Sequence, residues 1–234
     1  MTRGVQAIFP NSAGGRVVLR SVTVRYGRRL ALESISGEFA PGSLTAVVGA
    51  NGAGKSTLLA SIAGTVRLSR GRIERNGALS YLPQRASLDI EFPLTVAELI
   101  TLGAWHEIGS FGAPSPGLRA KAAAAADVVG LSQHLSRRIG ELSIGELQRA
   151  LFARLTMQDA PTILLDEPLA AVDAGTGSVL LDVIERWHRE GRTVIAVLHD
   201  LELVRTRFPQ TIVLAQRCIA WGPTNSALQE MAVQ

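Results

Sequence analysis

The sequence predicts an α/β fold, and three observations predict it. The run Ser43–Val48 is short, β-branched and apolar, and it leads through a glycine-rich loop into a helix from Lys55 to Ala63. The run Thr162–Leu165 is too uniformly apolar for a half-exposed strand and suits a central parallel one. A helix at about 176–190 and the strand Thr193–Leu198 then complete a βαβ unit.

The remaining elements fall around that core. Val17–Val24 and Glu33–Phe39 read as strands of an N-terminal antiparallel β subdomain, punctuated by turn signals at Gly27 and Pro41-Gly42. Residues 1–15, with Pro10, Asn11, Ser12, Gly14 and Gly15, read as a flexible leader before a single domain over 16–234. The middle, roughly 86–160, changes character. Thr95–Gly103 and Arg119–Val129 look helical, the second through the alanine run 122–126, and Ser110–Gly117 is a Gly/Pro/Ser loop between them. This stretch reads as a helical subdomain inserted into the α/β core. Short strands near Thr211–Leu214 and Arg217–Trp221 close the chain, and the core sheet is expected to be mixed.

Composition narrows the classes. With 47% hydrophobic and 19% charged residues the 234-residue chain can bury a full core. No stretch approaches the ~18 consecutive apolar residues that cross a bilayer, and Met1 to Arg16 lacks the apolar centre of a signal peptide. A cytoplasmic protein that meets a membrane only through a partner is expected. The lone Cys218, followed by Ile219 and Ala220, reads as a buried thiol. The net charge is +4, and pairs such as Arg28-Arg29 and Arg137-Arg138 read as solvated faces, so no nucleic acid is expected as a partner. Of the 24 basic residues only Lys55 and Lys121 are lysines. An arginine-rich chain keeps lysine at the centre of its glycine loop, where a compact ammonium fits among oxygens and a planar guanidinium does not.

That loop, Gly49-Ala50-Asn51-Gly52-Ala53-Gly54-Lys55-Ser56, fits GxxxxGK(S/T) at every required position, after an apolar strand and at the start of a helix. Its glycines let backbone N–H groups turn onto phosphate oxygens, and the helix N-terminus adds its positive dipole end. A P-loop NTPase core follows. Lys55 would reach the β- and γ-phosphates of ATP, the Ser56 hydroxyl would ligate Mg²⁺, and the site runs on to Thr57.

Thr162-Ile163-Leu164-Leu165-Asp166-Glu167 is an apolar strand ending in two carboxylates, at the end of the sheet where open α/β folds bind ligands. Asp166 would hold Mg²⁺, and Glu167 would act as general base on the attacking water.

With both motifs placed, the chain resembles the ATP-binding subunits of ABC transporters, from about Val17 to Trp221. The family's signature, usually LSGGQ, stands here as Leu142-Ser143-Ile144-Gly145-Glu146. Ser143 and Gly145 match, Ile144 and Glu146 depart, and Ser143 with Glu146 also makes a helix capping box. The resemblance further matches Gln84 to the Q-loop glutamine that touches Mg²⁺, Asp173 to the D-loop, and His199 to the switch histidine at the γ-phosphate. It also matches Tyr26, 23 residues before Gly49, to the aromatic that stacks on adenine. His106, His134 and His188 share no metal-ligand spacing and read as structural.

The resemblance implies an ATPase working as a head-to-tail dimer of two copies, with Ser143, Gly145 and Glu146 facing ATP held by the other chain's loop. It implies integral-membrane permease subunits as partners, at the cytoplasmic face of the membrane. The stretch Tyr81–Gly103 is similar to ATPases of importers for zinc, manganese and related metals, zinc being favoured, which adds a metal-binding secreted or periplasmic protein as an indirect partner. Importers of iron chelates or cobalamin are the alternative within the class. A soluble ABC-type ATPase acting on DNA or ribosomes is the alternative outside it, disfavoured by the short middle insertion without sustained heptads.

Overall fold

The computed structural model describes residues 14–84, 89, 91–109 and 112–232. In chain order the elements are β1 (Val17–Tyr26), β2 (Arg29–Phe39), β3 (Leu44–Val48), α1 (Lys55–Ala63), β4 (Arg70–Arg75), β5 (Leu79–Leu82), α2 (Val96–Thr101), α3 (Trp105–Ile108), α4 (Pro116–Val128) and α5 (Ile144–Gln158). They continue with β6 (Thr162–Asp166), α6 (Ala174–Arg189), β7 (Thr193–Val197), α7 (Leu201–Arg207), β8 (Gln210–Ala215), β9 (Arg217–Pro223) and α8 (Thr224–Ala232). The chain divides into two compact units. One takes the described residues up to 86, 161–168 and those from 187 on; the other takes the described residues of 87–160 with 169–186.

The first unit holds two sheets. A six-stranded sheet in the order β5-β6-β7-β3-β8-β9 is parallel except for its last pair, β8 and β9. Every residue of β3, β6 and β7 is buried, as their apolar runs require of strands covered on both faces. The other sheet, β2-β1-β4, is antiparallel. One core joins them: Leu19, Leu32 and Ile35 of the antiparallel sheet pack with Leu58, Leu59 and Ile62 of α1 and with Val47, Leu164 and Ile195 of the parallel strands. The mixed sheet and antiparallel subdomain are therefore both present.

Some local expectations need correction. β1 runs to Tyr26 and β2 starts at Arg29, so the hairpin turn is only two residues long and pairs Tyr26 with Arg29. β4 was not anticipated, because Ile73 is its lone apolar residue. It is an edge strand whose Glu74 pairs with Arg20 and Arg72 on the exposed side, and such charge protects an edge from further pairing. Cys218 is only half-buried, packed at the margin of the core; burial still pushes its thiol pKa up.

In the second unit α2, α4 and α5 pack together, with Leu99, Ile100, Ala125, Ala126, Phe152 and Ala153 fully buried. The helix α4 starts at Pro116 rather than Arg119, because the Ser115 hydroxyl accepts from Leu118 N and Pro116 suits the first helical position. Thr95 caps α2 in a capping box with Glu98, so the helix proper begins one residue after it. The leader through residue 13, and residues 110–111 of the Gly/Pro/Ser loop, lie outside the described residues. No helix among those described is long and apolar enough to cross a membrane.

Candidate functional site

The glycine loop links the C-terminal end of β3 to α1. Two of its glycines are obligatory on geometry. Gly49 (φ 147°) would place a Cβ 2.2 Å from the Leu214 carbonyl oxygen, and Gly54 (φ 98°) would place one 2.5 Å from the Ala31 carbonyl oxygen. Gly54 is the N-cap of α1, so the first N–H groups of that helix open at the loop. Ala50, Asn51 and Gly52 form an exposed crest, whereas Ala53 turns its methyl into the core and offers the cleft only its backbone.

Lys55 is 6% exposed. Its Nζ donates to the carbonyl oxygens of Gly49 at 2.8 Å and Ala50 at 3.0 Å, so the ammonium braces the loop from inside. Burial lowers its pKa from the ordinary value, while Glu167 and Asp166 act to hold the charge in place.

The strand β6 delivers the two acids to the same place. Asp166 is 3% exposed, and Ser56 Oγ donates to its Oδ1 at 3.0 Å. Burial pushes the Asp166 carboxyl above the usual carboxylate range, against the Ser56 hydrogen bond and the Lys55 charge. Burial, with Asp166 and Tyr26 nearby, pushes the half-buried Tyr81 phenol up to about 12. Glu167 follows in the left-handed region at φ 52°, a backbone that costs a non-glycine residue roughly 1–2 kcal/mol. Strain of this kind is held where the surrounding structure over-determines a side chain. Here both carboxylate oxygens are engaged: Gln84 Nε2 donates to Oε2 at 2.7 Å, and His199 Nε2 lies 2.7 Å from Oε1.

A cleft of ≈680 Å³ opens over these groups, lined by Tyr26, Arg29, Lys55, Ser56, Thr57, Gln84, Glu167 and His199 among others. Tyr26 is 53% exposed, its ring free to receive a flat partner. Arg29 is exposed, as a solvated face requires, and it also lines this cleft, its guanidinium 3.7 Å from where a Cβ on Gly52 would stand. No motif singled it out; the signal was its place three residues after Tyr26, across a tight turn.

The fold thus groups Tyr26, Gly49 to Thr57, Gln84, Asp166, Glu167 and His199 within the first unit. Ser143, Gly145, Glu146 and Asp173 form a second group, within the other unit. Ser143 caps α5, its hydroxyl accepting from Glu146 N at 3.2 Å while Ser143 N donates to Glu146 Oε2 at 2.8 Å. Asp173 caps α6, accepting from Thr176 N at 3.0 Å and Thr176 Oγ1 at 2.7 Å, which holds its carboxyl below the usual range. A Cβ on Gly145 would meet Thr176 Oγ1 at 2.8 Å, so the glycine lets the two caps lie side by side. Ile144 is 68% exposed between them.

The first group is chemically a polyanion cradle with a held carboxylate beside it; the second is a helix N-terminus with a hydroxyl at its tip. Over residues 32–170 the chain matches the family described as ABC transporter. The manganese transport system ATP-binding protein MntB of Listeria innocua is 32% identical over 92% of this chain and 93% of its own length. The zinc transport system ATP-binding protein TroB of Treponema pallidum is 34% identical over 93% of this chain and 85% of its own. The MntB of Bacillus subtilis, also described as a manganese transport system ATP-binding protein, is 35% identical over 90% and 87%. Among solved structures, one described as a metal-chelate type ABC transporter facing inward superposes with a TM-score of 0.83 at 26% identity, covering 94% of this chain and 88% of that one. A nucleotide-free ATP-binding cassette shares the fold with a TM-score of 0.80 at 22% identity, covering 94% of this chain and 96% of that one.

Proposed function

The chain belongs to the ABC transporter family, as an ATPase domain that couples hydrolysis to transport, and from that premise we propose that it powers uptake of a divalent transition metal through a separate membrane permease. The observation that carries the catalytic reading is Glu167, held at both oxygens at the mouth of the phosphate-loop cleft. Each carboxylate oxygen keeps a second lone pair, so Glu167 can still accept a proton from water while Gln84 and His199 fix its orientation. Lys55 and the loop N–H groups bind and orient the β- and γ-phosphates, and Tyr26 takes the adenine face.

The donors beside the loop fit Mg²⁺: a hydroxyl oxygen 3.0 Å from a buried carboxylate oxygen is the hard-oxygen set that ion prefers. Ser56 and Asp166 would hold it, with Gln84 beside them, and when bound it supplies neutralising charge to the phosphates. Ser143 and Gly145 sit on the other unit, at the tip of α5. In this reading they serve the nucleotide of a second copy, head to tail, and the closed pair works on the permease at the cytoplasmic face of the membrane. A metal-binding protein outside the membrane would deliver the cargo.

Two walls of the cleft can be separated by ligand. Tyr26→Ala is expected to weaken ATP and adenosine equally, by about 1–3 kcal/mol, the worth of one stacked base. Arg29→Ala is expected to weaken ATP by about 1 kcal/mol, as for a solvated charge pair, and to leave adenosine untouched. Fluorescence titration with both ligands checks this; an Arg29 variant that binds both as tightly as the parent takes Arg29 out of the site.

The metal class rests on relatives named for manganese and for zinc, and on the stretch Tyr81–Gly103, of which residues 85–88 and 90 lie outside the described residues. A strain lacking the chain should fail to grow when metals are chelated. Rescue by added zinc, which the sequence reading favours, assigns zinc, and rescue by manganese assigns manganese. A second reading, uptake of a metal chelate, is favoured by the 26%-identical solved structure, and rescue by a chelated metal alone would select it. Rescue by none of these removes the metal reading.

A further inference from the structure

Glu146 stands in the first turn of α5, three residues after the capping Ser143. A helix N-terminus attracts an anion, but a bare carboxylate in its first turn repels one. The structure shows that this carboxylate is not bare. Its Oε2 accepts from Ser143 N at 2.8 Å, and its Oε1 lies 3.1 Å from Arg137 Nη1 and 3.4 Å from His134 Nε2. The Ser143 N–H, then Arg137 and His134, hold the Glu146 carboxyl below its usual range. Arg137 is itself fixed, because its Nη2 donates to the Glu141 carbonyl oxygen. Meanwhile the Ser143 hydroxyl accepts from Glu146 N and keeps its own proton to donate.

A capping box closes equally with Glu or Gln. What Glu146 adds over glutamine is a negative charge, and the pairing with Arg137 cancels it. We infer that Arg137, seconded by His134, is a positioning residue of this helix tip: it neutralises Glu146 so that Ser143 and the N-terminus of α5 can receive the triphosphate of a nucleotide bound by a second copy of the chain. The inference rests on the head-to-tail reading above. Arg137 is thereby moved from a solvated face into the machinery.

The test uses the chain carrying Glu167→Gln, which is expected to hold ATP and to consume it about 10²–10⁴-fold more slowly, and measures self-association with and without MgATP by sedimentation velocity. Arg137→Gln removes the charge together with the donors to Glu146 Oε1 and the Glu141 carbonyl oxygen. It is expected to weaken ATP-driven association about tenfold, as an uncancelled like charge at an interface does, while ATP affinity of the single chain stays unchanged. Adding Glu146→Gln is expected to restore association, which a merely structural role for Arg137 would not permit. Glu146→Gln alone, which keeps the cap, should associate at least as tightly as the parent. Unweakened association in Arg137→Gln, failure of the second change to rescue it, or weaker association in Glu146→Gln alone each overturns the inference and leaves the head-to-tail reading standing. No ATP-driven association in the parent removes both.

Discussion

Replacing Glu167 by Gln should leave ATP binding intact and lower turnover by about 10²–10⁴-fold, the usual worth of a positioned general base. The substitution is nearly isosteric. The amide can still accept from Gln84 Nε2, now at 2.7 Å from Oε2, and can still meet His199 Nε2, now at 2.7 Å from Oε1. The left-handed backbone at φ 52° is as available to Gln as to Glu. What disappears is the capacity to take a proton from water. Nucleotide titration and phosphate release, measured on the same preparation, separate the two effects. Near-normal hydrolysis in the variant takes Glu167 out of the base role.

Lys55→Ala acts one step earlier. It removes the ammonium that braces the Gly49 and Ala50 carbonyl oxygens, and with it the charge offered to the phosphates. The loss of one such preorganised group is worth about 10²–10³-fold in rate, roughly 2.7–4 kcal/mol. Two carbonyls also lose a donor, at about 1 kcal/mol of fold stability each. ATP should therefore cease to raise the melting temperature, since that rise follows the ligand's affinity. Lys55→Arg should not restore activity, because a 6%-exposed pocket leaves no room for a planar guanidinium. An ATP-stabilised, active Lys55→Ala chain would contradict the assignment.

Much of the fold was legible because its signals are local. β3 and β6 are buried at every position and read as short, mostly apolar runs, and α1 matches its expected span because Lys55 and Ala63 lie between left-handed Gly54 and Gly64. β4 was illegible for the opposite reason: an edge strand fed by Arg20–Glu74 and Arg72–Glu74 pairs carries no hydrophobic alternation. The cleft was legible where a motif forces backbone geometry, as at Gly49 and Gly54. It was illegible at Arg29, whose place depends on hairpin register, and at Arg137, whose partner Glu146 lies nine residues away at no helical period. Cys218 misled because apolar neighbours in sequence do not make a covered position at the rim of a core.

The central claim is that the site is completed between two copies, Lys55 and Glu167 from one and Ser143 from the other. Mixing tests it most directly. Chains carrying Lys55→Ala and chains carrying Ser143→Arg should each be inactive alone. A mixed pair holds one intact site, made from Lys55 of the Ser143→Arg chain and Ser143 of the Lys55→Ala chain, so mixing should restore ATP hydrolysis. A mixture as inactive as its two components would contradict the account.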